Sequence, residues 1–238
     1  MTSFSIGLLL TIVNLAAYPL VLRAFEDHGL ERARQQLVVS STALLASGLP
    51  ATIGLIMLAR PLAGVLLGVE FEADAALLIP LIAIAALLRD LKAYYFDLAF
   101  HLGRKTVGQI WVTLVGAIVS IGLNLWWIPA FGLIGAACAN ISAYAIALIL
   151  SWLLGRRVFA LPRPSLDSLK IAIASLVMGG VLWSLTDPTG ALAAVAQVTA
   201  GILVYASLIY ILNAADARLH VMRLLGRRRR RQGGGLRC

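Results

Sequence analysis

Seven apolar runs, each long enough or nearly long enough to cross a lipid bilayer, fill this sequence and leave no stretch for a water-soluble domain. They cover about residues 4–22, 37–59, 75–100, 106–128, 132–154, 169–186 and 190–213. At about 1.5 Å per residue, roughly 20 residues span about 30 Å of hydrocarbon. No water reaches that layer to bond backbone N–H and C=O groups, so such runs must satisfy their own backbone, as helices do. Composition agrees: 61% of the 238 residues are hydrophobic, 13% are charged, and mean hydropathy is +0.91. The expected fold class is all-α, a polytopic membrane helix bundle of about seven transmembrane helices.

Proline, glycine and charge divide the chain. Residues 1–158 read as a five-helix bundle, 159–168 as a connector, 169–213 as an additional helix pair and 214–238 as a basic tail. The N-terminus has no basic leader region, and Pro19 and Arg23 follow the first run where a cleavage site would sit, so that run reads as a retained helix. Pro50 predicts a kink in the second run, with neighbours or water satisfying the freed carbonyl. The short apolar segment after Arg60 and Pro61 cannot cross again and either extends that helix or lies along the interface. Glu70, Glu72 and Asp74 then read as a solvated loop. Pro129 stops the fourth run, and Phe131 with Gly132 makes a turn too short for anything but antiparallel neighbours.

The net charge of +9 would suit nucleic acid or acidic lipid if the bases formed one face. They alternate by loop instead. Apart from Arg60, Arg89 and Lys92, the other 17 of the 20 lysines and arginines lie in the first, third and fifth connectors or in the tail. Cytoplasmic loops carry that excess, which predicts seven spans with the N-terminus outside and the C-terminus cytoplasmic. The run Arg227 to Arg231 is expected to anchor against anionic lipid, with no nucleic-acid partner, because no aromatic interleaving or binding motif accompanies it.

The third run carries the unusual charges. Arg, Lys and Asp each oppose insertion by about 2.5–3.5 kcal/mol at a helix centre, so Arg89, Asp90, Lys92 and Asp97 are expected to face a protein interior or a wet cavity. At about 100° per residue, Asp90, Tyr94, Asp97, His101 and Arg104 form one polar stripe, with Arg89 and Lys92 pointing elsewhere. Asp97 and His101 can equally be read as interfacial residues that snorkel to the cytoplasmic side. Asn124 and Asn140 each end a pattern of small residues at helical spacing, which marks helix packing or a cavity wall. Trp126 and Trp127 read as interfacial anchors.

Enzyme motifs are missing from the sequence: there is no nucleophile elbow, phosphate loop or His-Glu-x-x-His pattern. Cys138, Cys238 and three scattered histidines give no disulfide framework or metal set, so no catalytic residue, metal or cofactor is expected.

Four segments together resemble a known family: Asn14 to Glu26 (NLAAYPLVLRAFE), Leu49 to Leu55 (LPATIGL) with Arg60 to Gly68 (RPLAGVLLG), Tyr94 to Thr106 (YYFDLAFHLGRKT), and Asn124 to Asn140 (NLWWIPAFGLIGAACAN). They look like the C-terminal half of polysaccharide biosynthesis proteins, the lipid-linked saccharide flippases of the multidrug/oligosaccharidyl-lipid/polysaccharide exporter superfamily. The Pro-x-x-Gly-x-x-Gly-Ala-Ala turn from Pro129 to Ala137 is the strongest single feature. The resemblance implies two MATE-like helical lobes around a cavity that opens alternately to each side. It would move an undecaprenyl-diphosphate-linked saccharide outward for lipopolysaccharide or exopolysaccharide assembly. It also implies Arg89 and Lys92 as contacts for the anionic head group, with Asp90, Tyr94, Asp97 and His101 as ion, proton or cavity residues. The first lobe and part of the second have no counterpart here, so a truncated product or a partner supplying the other half is expected. A cation-coupled multidrug exporter half, a membrane-embedded glycosyl- or acyltransferase and a purely structural subunit are the alternatives.

Overall fold

Two glycines decide where the longest helices turn. In the computed structural model, residues 2–67, 72–159, 161–162, 165–185 and 191–213 are described, with side chains left out at 2–6, 65–67, 72 and 191–193. Helix α1 (Thr2–Met57) has 56 residues and α5 (Thr106–Val158) has 53, lengths that would make straight rods of about 80 Å. Each contains one residue with non-helical dihedrals, Gly29 (φ 78°, ψ −166°) and Gly132 (φ 58°, ψ −135°). A side chain is strained in both conformations, which glycine reaches freely.

Contacts on either side show the chain doubling back at these points. Val21 packs with Leu37 and Leu10 with Leu44, pairs nearly equidistant from Gly29. Val112 packs with Ala147, and a Cβ on Gly116 would lie 3.2 Å from Ala147, pairs centred near Gly132. Each long helix is thus a hairpin of two antiparallel arms, 2–28 with 30–57 and 106–131 with 133–158. The turn at Gly132 falls where the sequence places it. The connector after Arg23 differs from expectation: it is helical on both sides of Gly29, because Ala24, Glu26, Glu31, Arg32 and Ala33 favour helix even where the chain is polar.

Helical dihedrals run through Pro50, and the structure shows what replaces the hydrogen bond that proline cannot donate. Pro50 frees the carbonyl of Ala46, and the Tyr205 hydroxyl donates to that oxygen at 2.7 Å. Beyond Met57, the Leu58 N–H still bonds Gly54 O and its carbonyl still accepts from Leu62, each at 2.9 Å. Helix α2 (Ala59–Leu67) therefore prolongs the second arm of α1. It returns along α3 (Glu72–Leu91) through a cluster of Ala59, Ala63, Ala75 and Ile79.

Helix α3 gives way to a π-helical turn (Lys92–Phe96) and a short α4 (Leu98–Leu102). The last pair is α6 (Leu166–Ser184), capped by Ser165, and α7 (Ala191–Ile211). This pair packs on the second arm of α1 through Tyr205, and through Gly179, where a Cβ would lie 2.7 Å from Ile53. Glu70, Arg163, the turn at 186–190 and the tail with Arg227 to Arg231 and Cys238 lie outside the described residues.

No strand occurs among the described residues. Four helices are long and apolar enough to cross a membrane: α1 over Gly7–Met57, α5, α6, and α7 over Ala194–Ile211. Helix α3 is outside that set because Asp74, Arg89 and Asp90 crowd its 20 residues. The outward faces are apolar as well, with Leu125 and Trp126 each 74% exposed, as expected of helices solvated by lipid.

Candidate functional site

The charged third segment forms two separate polar groups inside an apolar bundle. The first lies at the end of α3. Arg89 Nε donates to Asp90 Oδ1 at 2.9 Å; the Asp90 side chain is 4% exposed and that of Arg89 is 41% exposed. Gly7 on α1 leaves room for the guanidinium, since a Cβ there would stand 2.9 Å from Arg89 Nη2. The Tyr94 hydroxyl meets Thr11 Oγ1 at 2.8 Å, tying the group to the first arm of α1. Asp90 Oδ2 is buried without a hydrogen-bond partner, which is costly for an ionised carboxylate.

The second group is built by the π turn. The Asp97 N–H bonds the Lys92 carbonyl, five residues back, at 2.9 Å. The extra residue in that turn breaks the 100° phase, so Lys92 and Asp97 do not lie apart as a continuous α-helix would have them. Lys92 Nζ donates to Asp97 Oδ2 at 2.7 Å, with the Lys92 side chain only 12% exposed. Ser151 Oγ donates to Asp97 Oδ1, and Gln109 Nε2 reaches Oδ2 at 3.5 Å. Asp97 thus joins both arms of α5 to the π turn. Tyr95 fixes the same turn from outside by donating to the Pro162 carbonyl at 2.8 Å.

The single stripe read from the sequence is therefore divided. Asp90 and Tyr94 stay with Arg89, Asp97 goes with Lys92, and His101 stands apart. His101 is exposed, its ring 6.5 Å from Tyr18 and nearly perpendicular to it. Asn124 bonds within its own helix, donating to Ser120 O at 2.7 Å, and Asn140 is half-buried on the second arm of α5. Among the described residues no group of histidines, cysteines and carboxylates could hold a metal ion.

Sequence reasoning missed Gly7, Thr11, Gln109 and Ser151. Gln109 and Ser151 are sparse polar residues within apolar runs, a signal that marks candidates for pairing with an intramembrane charge. Gly7 and Thr11 are one helical turn apart, and the Thr11 hydroxyl also donates to the Gly7 carbonyl at 2.6 Å.

No protein-family model, curated protein or solved structure matches the chain.

Proposed function

We propose that this chain is a polytopic component of a bacterial inner membrane that moves an anionic, lipid-linked saccharide across the bilayer for cell-surface polysaccharide assembly. In this reading it crosses seven times: by the two arms of α1, by the α3 to α4 unit, by the two arms of α5, and by α6 and α7. Each arm of α5 is about 39 Å long, enough to pass through about 30 Å of hydrocarbon. The clustering of bases supports one cytoplasmic end. Arg34 stacks on Phe159 at 5.7 Å, and Gly103 closes on Val158, which groups Arg34, Arg104, Lys105, Arg156 and Arg157.

The observation that carries the reading is Arg89. It is a half-exposed guanidinium held at Nε by a buried carboxylate, so its terminal nitrogens remain for the paired oxygens of a phosphate. Lys92 is mostly buried and neutralised by Asp97, so its role is to hold the π turn, and Arg89 takes the head group. The open side of Arg89 faces either a wet cavity or a second helical bundle that completes the cavity wall. The unpartnered Asp90 Oδ2 is where a proton or small cation would bind. Neutralising Asp90 would release the charge of Arg89 for the anion, which links ion binding to substrate binding.

Arg89→Gln and Arg89→Lys, introduced into a polysaccharide-deficient strain complemented by this chain, test the proposal. Loss of export with Gln at normal membrane levels, and partial export with Lys, is the expected result. Full export with Gln refutes the assignment. A cation-coupled small-molecule exporter, the reading that Asp90 alone would favour, predicts instead that Asp90→Asn abolishes function while Arg89→Gln leaves it intact.

A further inference from the structure

A cleft of about 480 Å³ opens at the basic end of the bundle, between the turn after α4 and the last turn of α5. Its lining carries Arg104, Lys105 and Arg157 and no carboxylate, and its exposed apolar residues are Val107 and Leu154, with Phe100 buried beneath. The three bases belong to exposed residues, and none has a carboxylate partner among the described residues. Gathering like charges in one cleft raises its positive potential and favours an anion there.

The backbone holds them there. A Cβ on Gly103 would collide with Val158, and one on Gly108 would stand 2.8 Å from the Phe100 ring, so both glycines let the turn close on the end of α5. Lys105, at the N-cap of α5, provides no side-chain cap, and its carbonyl accepts from the first-turn N–H of Gly108 at 3.2 Å. Neighbouring bases differ. Arg156 lies 4.9 Å over the Trp152 ring, and the groove around Arg23 and Arg32 contains Asp27.

The geometry points to a binding site for the phosphate of an anionic membrane lipid, its head group between Arg104, Lys105 and Arg157 and its acyl chains over Leu154 and Val107. The apolar lining selects a lipid over a free anion. Val107 and Ile110, 64% and 65% exposed, continue that apolar surface along α5. The site requires that α5 cross the membrane and does not depend on the transport reading.

The full chain, purified in uncharged detergent, is titrated with dioctanoyl phosphatidylglycerol, dioctanoyl phosphatidylcholine and inorganic phosphate, and bound species are counted by native mass spectrometry. The phosphatidylglycerol should bind about tenfold tighter than either alternative. The triple variant Arg104→Gln, Lys105→Gln, Arg157→Gln should lose about tenfold or more. A control with equal charge loss, Arg23→Gln, Arg32→Gln, Arg156→Gln, should stay within about threefold of the parent. Should the triple variant lose helicity, Arg157→Gln alone is compared with Arg156→Gln, and only the former should weaken binding. Equal losses in pocket and control variants, equal binding of phosphatidylcholine, or inorganic phosphate binding as tightly as the lipid would each overturn the site.

Discussion

Removing the Asp97 carboxylate should unbalance the most buried charge pair in the described structure. Asp97→Asn keeps size and shape but leaves the Lys92 ammonium facing a neutral amide. The Lys92 side chain is 12% exposed and Asp97 is 4% exposed, so solvent can reclaim little of the lost interaction. Removing one partner of a buried pair costs about 3–5 kcal/mol, whereas replacing both with apolar groups of similar volume is often close to neutral. Asp97→Asn should therefore cost about 3 kcal/mol or more, and Lys92→Met in that background should recover most of it. Ser151 and Gln109 donate to different oxygens of the carboxylate and the amide accepts at only one of them, so the cost combines the lost charge with a rearranged hydrogen bond. Unfolding in mixed micelles with rising denaturing detergent, followed by far-UV circular dichroism, reads both changes. A loss below about 1 kcal/mol for Asp97→Asn, or strictly additive effects in the double variant, would refute the reasoning.

Three further outcomes follow from local geometry. Tyr205→Phe should cost about 1–3 kcal/mol by orphaning the Ala46 carbonyl; in a Pro50→Ala background, where residue 50 supplies its own N–H, the cost should shrink, as the same unfolding assay would show. Gly29→Ala should lose about 1–3 kcal/mol through backbone strain alone, since no atom lies within 4 Å of the new Cβ, and thermal unfolding should register it. Gly7→Ala should leave stability within about 1 kcal/mol, because the clash falls on the flexible end of Arg89, yet should lower polysaccharide export by displacing the guanidinium.

The helical class and the turn at Gly132 were legible because apolar run length and proline-glycine punctuation are local signals. The helical connector around Gly29 was not, since polarity marks solvent exposure and says little about helicity where Glu, Arg and Ala dominate. The polar residues of the site were nameable from the cost of burying Arg89, Asp90, Lys92 and Asp97, but their pairing was not. A single π turn of Lys92–Phe96 changes the helical phase by about one residue, and nothing in the order of those side chains announces it. Ser151 and Gln109 come to Asp97 from the two arms of a hairpin, a distance along the chain that periodicity cannot bridge. The repair of Pro50 by Tyr205 is hidden in the same way.

Arg89 is proposed to hold the phosphate of a lipid-linked saccharide. Binding of a short-chain polyprenyl diphosphate to the purified chain in uncharged detergent tests it most directly, with Arg89→Gln, Arg89→Lys and the triple variant at Arg104, Lys105 and Arg157 measured alongside the parent. Arg89→Gln should weaken binding about tenfold or more, Arg89→Lys by less, and the distant triple variant should leave the Arg89-dependent component in place. Unaltered affinity for Arg89→Gln, in a protein with parental helicity, would contradict the account.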